Sequence, residues 1–248
     1  MKARLIIDPP RPALTNMALD SALFQSVQSA PFPATLRLYG WAPRAVSVGR
    51  RQKPDELDLA LCERMGIEVV KRPGGGAAVY HDKELTYAFA CRTAWGMPTP
   101  DQWRIVFVRL LEKIGLAADP PVVCGDRRES VHGACFSCAG EDEPTINGKK
   151  FVGGARRKSR TAFLQHGSIL MEGQPEFLNR IVKKPGTDRS AGLLSFLPGL
   201  GLEKLSSELV GAVSETLQIK FVGGGYTAME TEAARKIVAS SGLPLYSE

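Results

Sequence analysis

Lys150 lies fifteen residues after Cys135, and a lysine brought close to a thiol can lower the pKa of that thiol and activate it as a nucleophile. A neighbouring cation favours the thiolate, which is the nucleophilic form of cysteine. Cys135 stands in Gly133-Ala134-Cys135-Phe136-Ser137-Cys138, and Lys150 in Asn147-Gly148-Lys149-Lys150-Phe151-Val152-Gly153-Gly154-Ala155. Each has a plainer reading. Cys135-x-x-Cys138 could be half of a zinc site, but no second Cys-x-x-Cys or histidine pair completes it. Its flanks are not those of a thioredoxin-like redox pair, and a buried inert thiol is the commonest state of such a cysteine. The two lysines could be solvated ends of a hairpin. Gly153-Gly154 weigh against that, because paired glycines in a strand suggest backbone packed against a ligand.

A second glycine cluster is Arg72-Pro73-Gly74-Gly75-Gly76, set between two apolar strands. Three successive glycines cost chain entropy. Either a tight turn or the close approach of backbone N–H groups to an anion would justify them, and Arg72 favours the ligand. The spacing is neither a dinucleotide fingerprint nor a P-loop. His81 ends the next strand, where a lone histidine is more often structural than chemical.

These segments need elements to position them. Thr15-Asn16 can cap a helix burying Met17, Ala18, Ala22, Leu23 and Val27. Pro54-Asp55-Glu56 reads as a helix start, with Leu57, Leu61 and Met65 as its stripe and Gly66 as its stop. Thr99-Pro100-Asp101-Gln102 is a capping box opening a helix through Ile105, Val108, Leu111 and Ile114 to Gly115. Thr227 to Glu230 is another, opening a helix to about Ser240. Strands are expected over 36–39, 45–48, 67–71, 77–80 and 85–90. Asn147-Gly148 is a hairpin turn that sends Lys150 into the return strand. A further strand over 162–171 is expected to break at His166-Gly167, and Lys183 to Gly192 reads as a mobile loop. Many connections are too short for crossover helices, so the sheet should be mixed and largely antiparallel, flanked by helices. The expected fold class is α+β. Residues 1–248 read as a single catalytic domain, with a small C-terminal subregion over 200–248 as the alternative.

The bulk numbers agree with a globular protein. Of 248 residues, 44% are apolar and 23% charged. The net charge is +6 and the pI about 9.1, which suits an anionic partner. No arginine-rich run or nucleic-acid motif is present, so nucleic acid is not expected. Neither a signal peptide nor a bilayer-length apolar run is apparent, so no membrane association is expected. Five cysteines and no export signal point to reduced thiols in the cytoplasm.

The motifs gain meaning from their order. Asn16-Met17-Ala18-Leu19-Asp20, residues 72–87, Ala134-Cys135-Phe136-Ser137, residues 148–155 and Leu164-Gln165-His166-Gly167-Ser168-Ile169-Leu170 together resemble the lipoate–protein ligase and octanoyltransferase family. The resemblance runs from about residue 4 to residue 200. It implies the catalytic fold shared with biotin ligases and class II aminoacyl-tRNA synthetases. Gly74, Gly75, Gly76, Gly153 and Gly154 would wall the acyl tunnel, with Ala155 and Gly167 beside them. Lys150 would point at the acyl carbonyl, and His81 and His166 would shape the pocket.

Two enzyme readings follow from the resemblance. A transferase takes octanoate from octanoyl-acyl carrier protein onto Cys135 as a thioester. It passes the acyl group to a lysine of an apo lipoyl domain or glycine-cleavage H protein, and it needs no cofactor. A ligase activates free lipoate with ATP and Mg. The Ala-Cys-Phe segment and the 81–87 stretch look like the transferases, whereas Gly74-Gly75-Gly76-Ala77 looks like the ligases. In the transferase, Lys150 would act as general acid–base in both half-reactions. A non-catalytic acyl-binding protein is the third reading, and it needs neither Cys135 nor Lys150.

Overall fold

The computed structural model describes residues 1–53, 56–122, 136, 139–140, 142–183 and 188–241. In chain order its strands are β1 (Lys2–Ile7), β2 (Ala34–Tyr39), β3 (Ala45–Val48), β4 (Glu68–Lys71), β5 (Val79–His81), β6 (Glu84–Arg92), β7 (Thr145–Ile146), β8 (Lys149–Lys150), β9 (Val152–Lys158), β10 (Ala162–Leu170) and β11 (Lys220–Gly223). Its helices are α1 (Ala13–Ser26), α2 (Leu59–Arg64), α3 (Pro100–Ile114), α4 (Leu178–Ile181), α5 (Leu202–Leu217) and α6 (Ala228–Ser240).

Six strands make the main sheet in the order β11-β1-β2-β6-β10-β9. β11, β1 and β2 run parallel, and the remaining pairings are antiparallel. A smaller sheet, β4-β3-β5, has one parallel and one antiparallel pairing. The molecule is therefore the expected mixed, helix-flanked α+β fold. No helix among the described residues is long and apolar enough to cross a membrane.

The two faces of the main sheet follow from strand alternation. On β6, Leu85, Tyr87, Phe89 and Cys91 pack with Trp103, Phe107 and Leu110 of α3 and Leu209 of α5. Ala88 and Ala90 point the other way and pack with Met17 and Leu23 of α1. β10 alternates likewise: Phe163 and Ile169 join the α3–α5 core, whereas Leu164 joins the α1 side. The same alternation carries His166 and Ser168 to the α1 side, where the smaller sheet also lies.

Several expectations need correction. α1 begins at Ala13 with Pro12 at its N-cap and no side-chain cap bond, so Thr15 and Asn16 lie inside it. α2 begins at Leu59 behind an Asp58 cap, and Pro54 and Asp55 lie outside the described residues. On α3 the capping box and the left-handed Gly115 are as expected, but the stripe is rotated. Ile105 is exposed, and Trp103, Val106 and Phe107 are buried instead. β10 runs unbroken through His166-Gly167 because both residues keep ladder partners on β6 and β9. In the 183–192 loop, residues 184–187 lie outside the described residues, and Ser190 bridges to Lys150. β1 and β11 were not anticipated. They pair with each other in parallel.

Candidate active site

The hairpin turn at Asn147 (φ 52°) and Gly148 (φ 71°) returns the chain through β8 and presents Lys150 inward, 3% exposed. Its ammonium lies 2.7 Å from Glu143 Oε2 and 5.2 Å from the ring centre of Phe136. Glu143 is itself held by backbone donors: the Gly140 N–H at 2.6 Å and the Gly154 N–H at 2.8 Å. The Lys150 backbone is clamped too. Its N–H donates to the Arg189 carbonyl, and its carbonyl accepts from the Ala191 N–H. A cation this buried, with its counter-charge fixed by main chain, is preorganised rather than solvated. Asp142, next to Glu143, is held above the usual carboxylate range by burial, against the pull of Arg156. Cys135 and Cys138 lie outside the described residues. Phe136, the covalent neighbour of Cys135, is buried beside the lysine.

Next to this centre lies a small cavity bordered by Arg72, His81, Gly153, Gly154, His166 and Gly167, with Ala155 on its edge. Seven of the residues singled out from sequence thus meet in one place. Lys150 is not on the described cavity wall. It reaches the wall through Glu143, which bridges its ammonium to the Gly154 N–H. The cavity holds about 30 Å³, room for one or two water-sized groups.

The glycines have specific reasons. A Cβ at Gly167 would sit 2.2 Å from the Gly153 carbonyl oxygen and 2.9 Å from Tyr87. One at Gly74 would sit 2.5 Å from His166 Nε2 and 2.8 Å from Ala155 Cβ. Gly76 takes a positive φ of 87°. Arg72 shapes this turn: its guanidinium donates to the carbonyls of Gly75 and Ala77 and to the Ser47 carbonyl and hydroxyl. The expectation that Arg72 marks an anion site is therefore joined by a second role, holding the glycine turn in shape.

Both histidines are anchored at Nδ1. His81 Nδ1 faces Glu84 Oε1 at 2.8 Å, its Nε2 faces Ser47 Oγ at 2.7 Å, and its ring stacks on Trp41. Glu84 Oε1 also accepts from the Thr86 and Ser168 hydroxyls. His166 Nδ1 lies 3.0 Å from Asp20 Oδ2. Asp20 is gripped by Arg37 and by the Tyr39 hydroxyl, each at 2.8 Å. Burial and the Asp20 charge push the Tyr39 phenol well above its ordinary value, so it stays a donor. Asp20, Glu84 and Glu143 were not given roles from sequence. Asp20 carried a signal, the only charged residue on α1; Glu143 carried none. Among the described residues no cluster of His, Cys, Asp and Glu could hold a metal ion.

Fold and site together define an acyl-handling enzyme domain of the lipoate-ligase kind. The structure of lipoate-protein ligase A bound with ATP superposes with a TM-score of 0.81 at 26% identity, covering 97% of this chain and 95% of that one. A putative lipoate protein ligase from T. acidophilum with bound lipoic acid gives 0.79 at 26% identity, covering 96% and 95%. The chain belongs to the lipoyl protein ligase A/B catalytic domain family, which it matches over residues 12–216. Its curated relatives include the octanoyltransferase LipM of Kyrpidia tusciae, 33% identical over 92% of this chain and 91% of that protein. The octanoyltransferase LipM of Clostridioides difficile is 30% identical over 90% and 89%.

Proposed function

We propose that this chain is an octanoyltransferase of lipoate biosynthesis, working in the cytoplasm without a cofactor. It takes the octanoyl group from octanoyl-acyl carrier protein and delivers it to a lysine of an apo lipoyl domain or of the glycine-cleavage H protein. Residues 1–248 act as one catalytic domain. The observation that carries the reading is the buried Lys150–Glu143 pair beside Phe136, the covalent neighbour of Cys135. It stands in a chain whose relatives are octanoyltransferases across nine-tenths of its length.

In the first half-reaction the Cys135 thiolate attacks the thioester carbonyl of the carrier. A new C–S bond forms, the carrier's thiolate leaves, and it collects a proton. Lys150 supplies a fixed positive charge for the thiolate and for the oxyanion that develops. Held 2.7 Å from a carboxylate that backbone N–H groups fix in turn, its ammonium has a defined position. That suits electrostatic work better than the general acid–base duty expected from sequence. In the second half-reaction the acceptor amine attacks the acyl-enzyme, the new amide forms, and Cys135 departs as thiolate.

The ligase reading has one specific support, the similarity in fold to ligases that bind ATP and lipoic acid. Mass spectrometry separates the two. Mixed with octanoyl-acyl carrier protein, the protein should gain one octanoyl group that hydroxylamine removes, and Cys135→Ala should gain none. Full activity of Cys135→Ala with ATP and free acid would replace the transferase by the ligase.

A further inference from the structure

The acceptor lysine has an ordinary pKa of about 10.4, so at neutral pH it arrives as ammonium and cannot attack until a proton is removed. Lys150, paired with Glu143, is poorly suited to take that proton. His166 is placed to do so. Its Nδ1 faces the Asp20 carboxylate at 3.0 Å, so Nδ1 carries the hydrogen and Nε2 presents a lone pair. Asp20 cannot swing away, since Arg37 and Tyr39 hold both its oxygens. His166 is 4% exposed, borders the cavity, and its Nε2 is buried with no hydrogen-bond partner among the described residues. A buried unpaired ring nitrogen costs free energy, which an incoming polar group would recover. Gly74 leaves that nitrogen uncovered, because any Cβ there would sit 2.5 Å from it.

The register fixes His166 relative to the lysine centre. Ala155 pairs with His166, and Gly154 with Gly167. Gly154 is also the residue that Glu143 ties to Lys150. The cationic centre and the imidazole thus flank the same pair of glycines.

We infer that His166, oriented by Asp20, is the proton acceptor for the incoming lysine amine in the second half-reaction. This rests on the thioester reading above. His166 Nε2 takes one proton from the arriving ammonium, which frees the amine lone pair to form the C–N bond. As the C–S bond breaks its electron pair leaves with Cys135 sulfur, and the second proton lost from nitrogen goes to that thiolate or to solvent, leaving the neutral amide. The imidazolium, stabilised by Asp20, then returns its proton to solvent, restoring the free enzyme. His166 is a catalytic residue and Asp20 a positioning residue.

The test isolates the second half. Wild type, His166→Gln and Asp20→Asn are each loaded from octanoyl-acyl carrier protein, and loading is read by mass. The loaded proteins are then offered either an apo lipoyl domain or hydroxylamine, an amine already neutral at pH 7. For each protein the discharge rate to the lipoyl domain is divided by its own discharge rate to hydroxylamine, so that changes in pocket shape or in the extent of loading cancel. In His166→Gln this ratio should fall about 100-fold or more, the usual worth of a general base. Asp20→Asn should show the same split, more weakly. Equal loss with both amines, failure to load, or wild-type discharge to the lipoyl domain would each overturn the assignment. Failure of wild type itself to load would instead sink the thioester reading and leave His166 without this task.

Discussion

Glu143 is the side chain on which the lysine centre depends most directly. It holds Lys150 at 2.7 Å through one oxygen and the Gly154 N–H through the other. Glu143→Gln keeps the shape but removes the charge, leaving a buried ammonium short of its counter-ion. Unfolding by urea should show a loss of about 2–3 kcal/mol. Loading from octanoyl-acyl carrier protein should slow at least tenfold, as the lysine loses its fixed position. Two other thiols offer a control. Burial, then the Asp58 charge, pushes the Cys62 thiol up to about 11, and burial pushes Cys91 up to about 12. Neither should react with iodoacetamide in the native protein at pH 7.5, where the thiolate is scarce; peptide mapping before and after unfolding checks this. Lys150 and the glycines were legible in the sequence because hairpin turns and paired glycines are local signals. Glu143 and Asp20 were not, because a carboxylate acquires its partner only when distant segments close on each other. His166 was legible as a pocket residue, but not as half of a dyad, for the same reason.

At the scale of elements, the capping boxes at Thr99 and Thr227 were legible because everything they need lies within four residues. The start of α1 was not, since Pro12 enters it without a capping side chain. The pairing of β1 with β11 leaves no local trace at all. Besides that pairing and the packing of α6 on α1, a buried ion pair ties the C-terminal elements to the beginning of the chain. Glu230 takes both the Arg4 guanidinium, 226 residues away, at 2.8 and 2.5 Å, and the Thr227 N–H of its own cap. Burial raises the Glu230 pKa, but the hydrogen bonds from Arg4 and Thr227 outweigh it, and the net shift is below 4.5. The unfolded group therefore binds its proton more readily. This contribution is complete above about 4.5 and is lost as pH falls through the depressed native value. Glu230→Ala leaves Arg4 buried without its carboxylate and should cost about 3–5 kcal/mol. The loss should shrink toward pH 3, and thermal melts across pH 3–7 measure it. On β10 the constraint is steric. Gly167→Ala drives a methyl into the Gly153 carbonyl and Tyr87, and should cost about 1–3 kcal/mol by overpacking while shifting the cavity wall.

For the molecule as a whole, the +6 charge matters through where it is placed. The loop carrying exposed Arg50, Arg51 and Lys53 is hydrogen-bonded to the glycine turn through the Arg50 N–H and the Gly74 carbonyl. Gly49 packs so closely on Gly76 that a Cβ would fall 1.8 Å from its carbonyl oxygen. Arg157 lies within electrostatic reach of Arg50: burial, then the Arg50 charge, lowers its pKa. Arg156, Lys158 and Arg160 continue the exposed basic stretch along and beyond β9. The basic side chains thus sit on the loop that meets the glycine turn and on β9 just beyond Ala155 of the cavity wall, a placement that suits substrates arriving on acidic carrier domains. Exposed charges of this kind act over about 8–10 Å at physiological salt and chiefly affect the rate of encounter. Replacing Arg50 and Arg51 together by Glu should lower kcat/KM for an acidic lipoyl domain about tenfold or more at low salt. Raising the salt to 0.5 M should narrow the gap between variant and wild type, because screening removes the steering from both. Discharge of the acyl-enzyme to hydroxylamine, which carries no charge to steer, should be unaffected by the double substitution. If the variant is equally slow with both amines, or if the gap persists at high salt, the loop acts through the shape of the glycine turn and not through its charge.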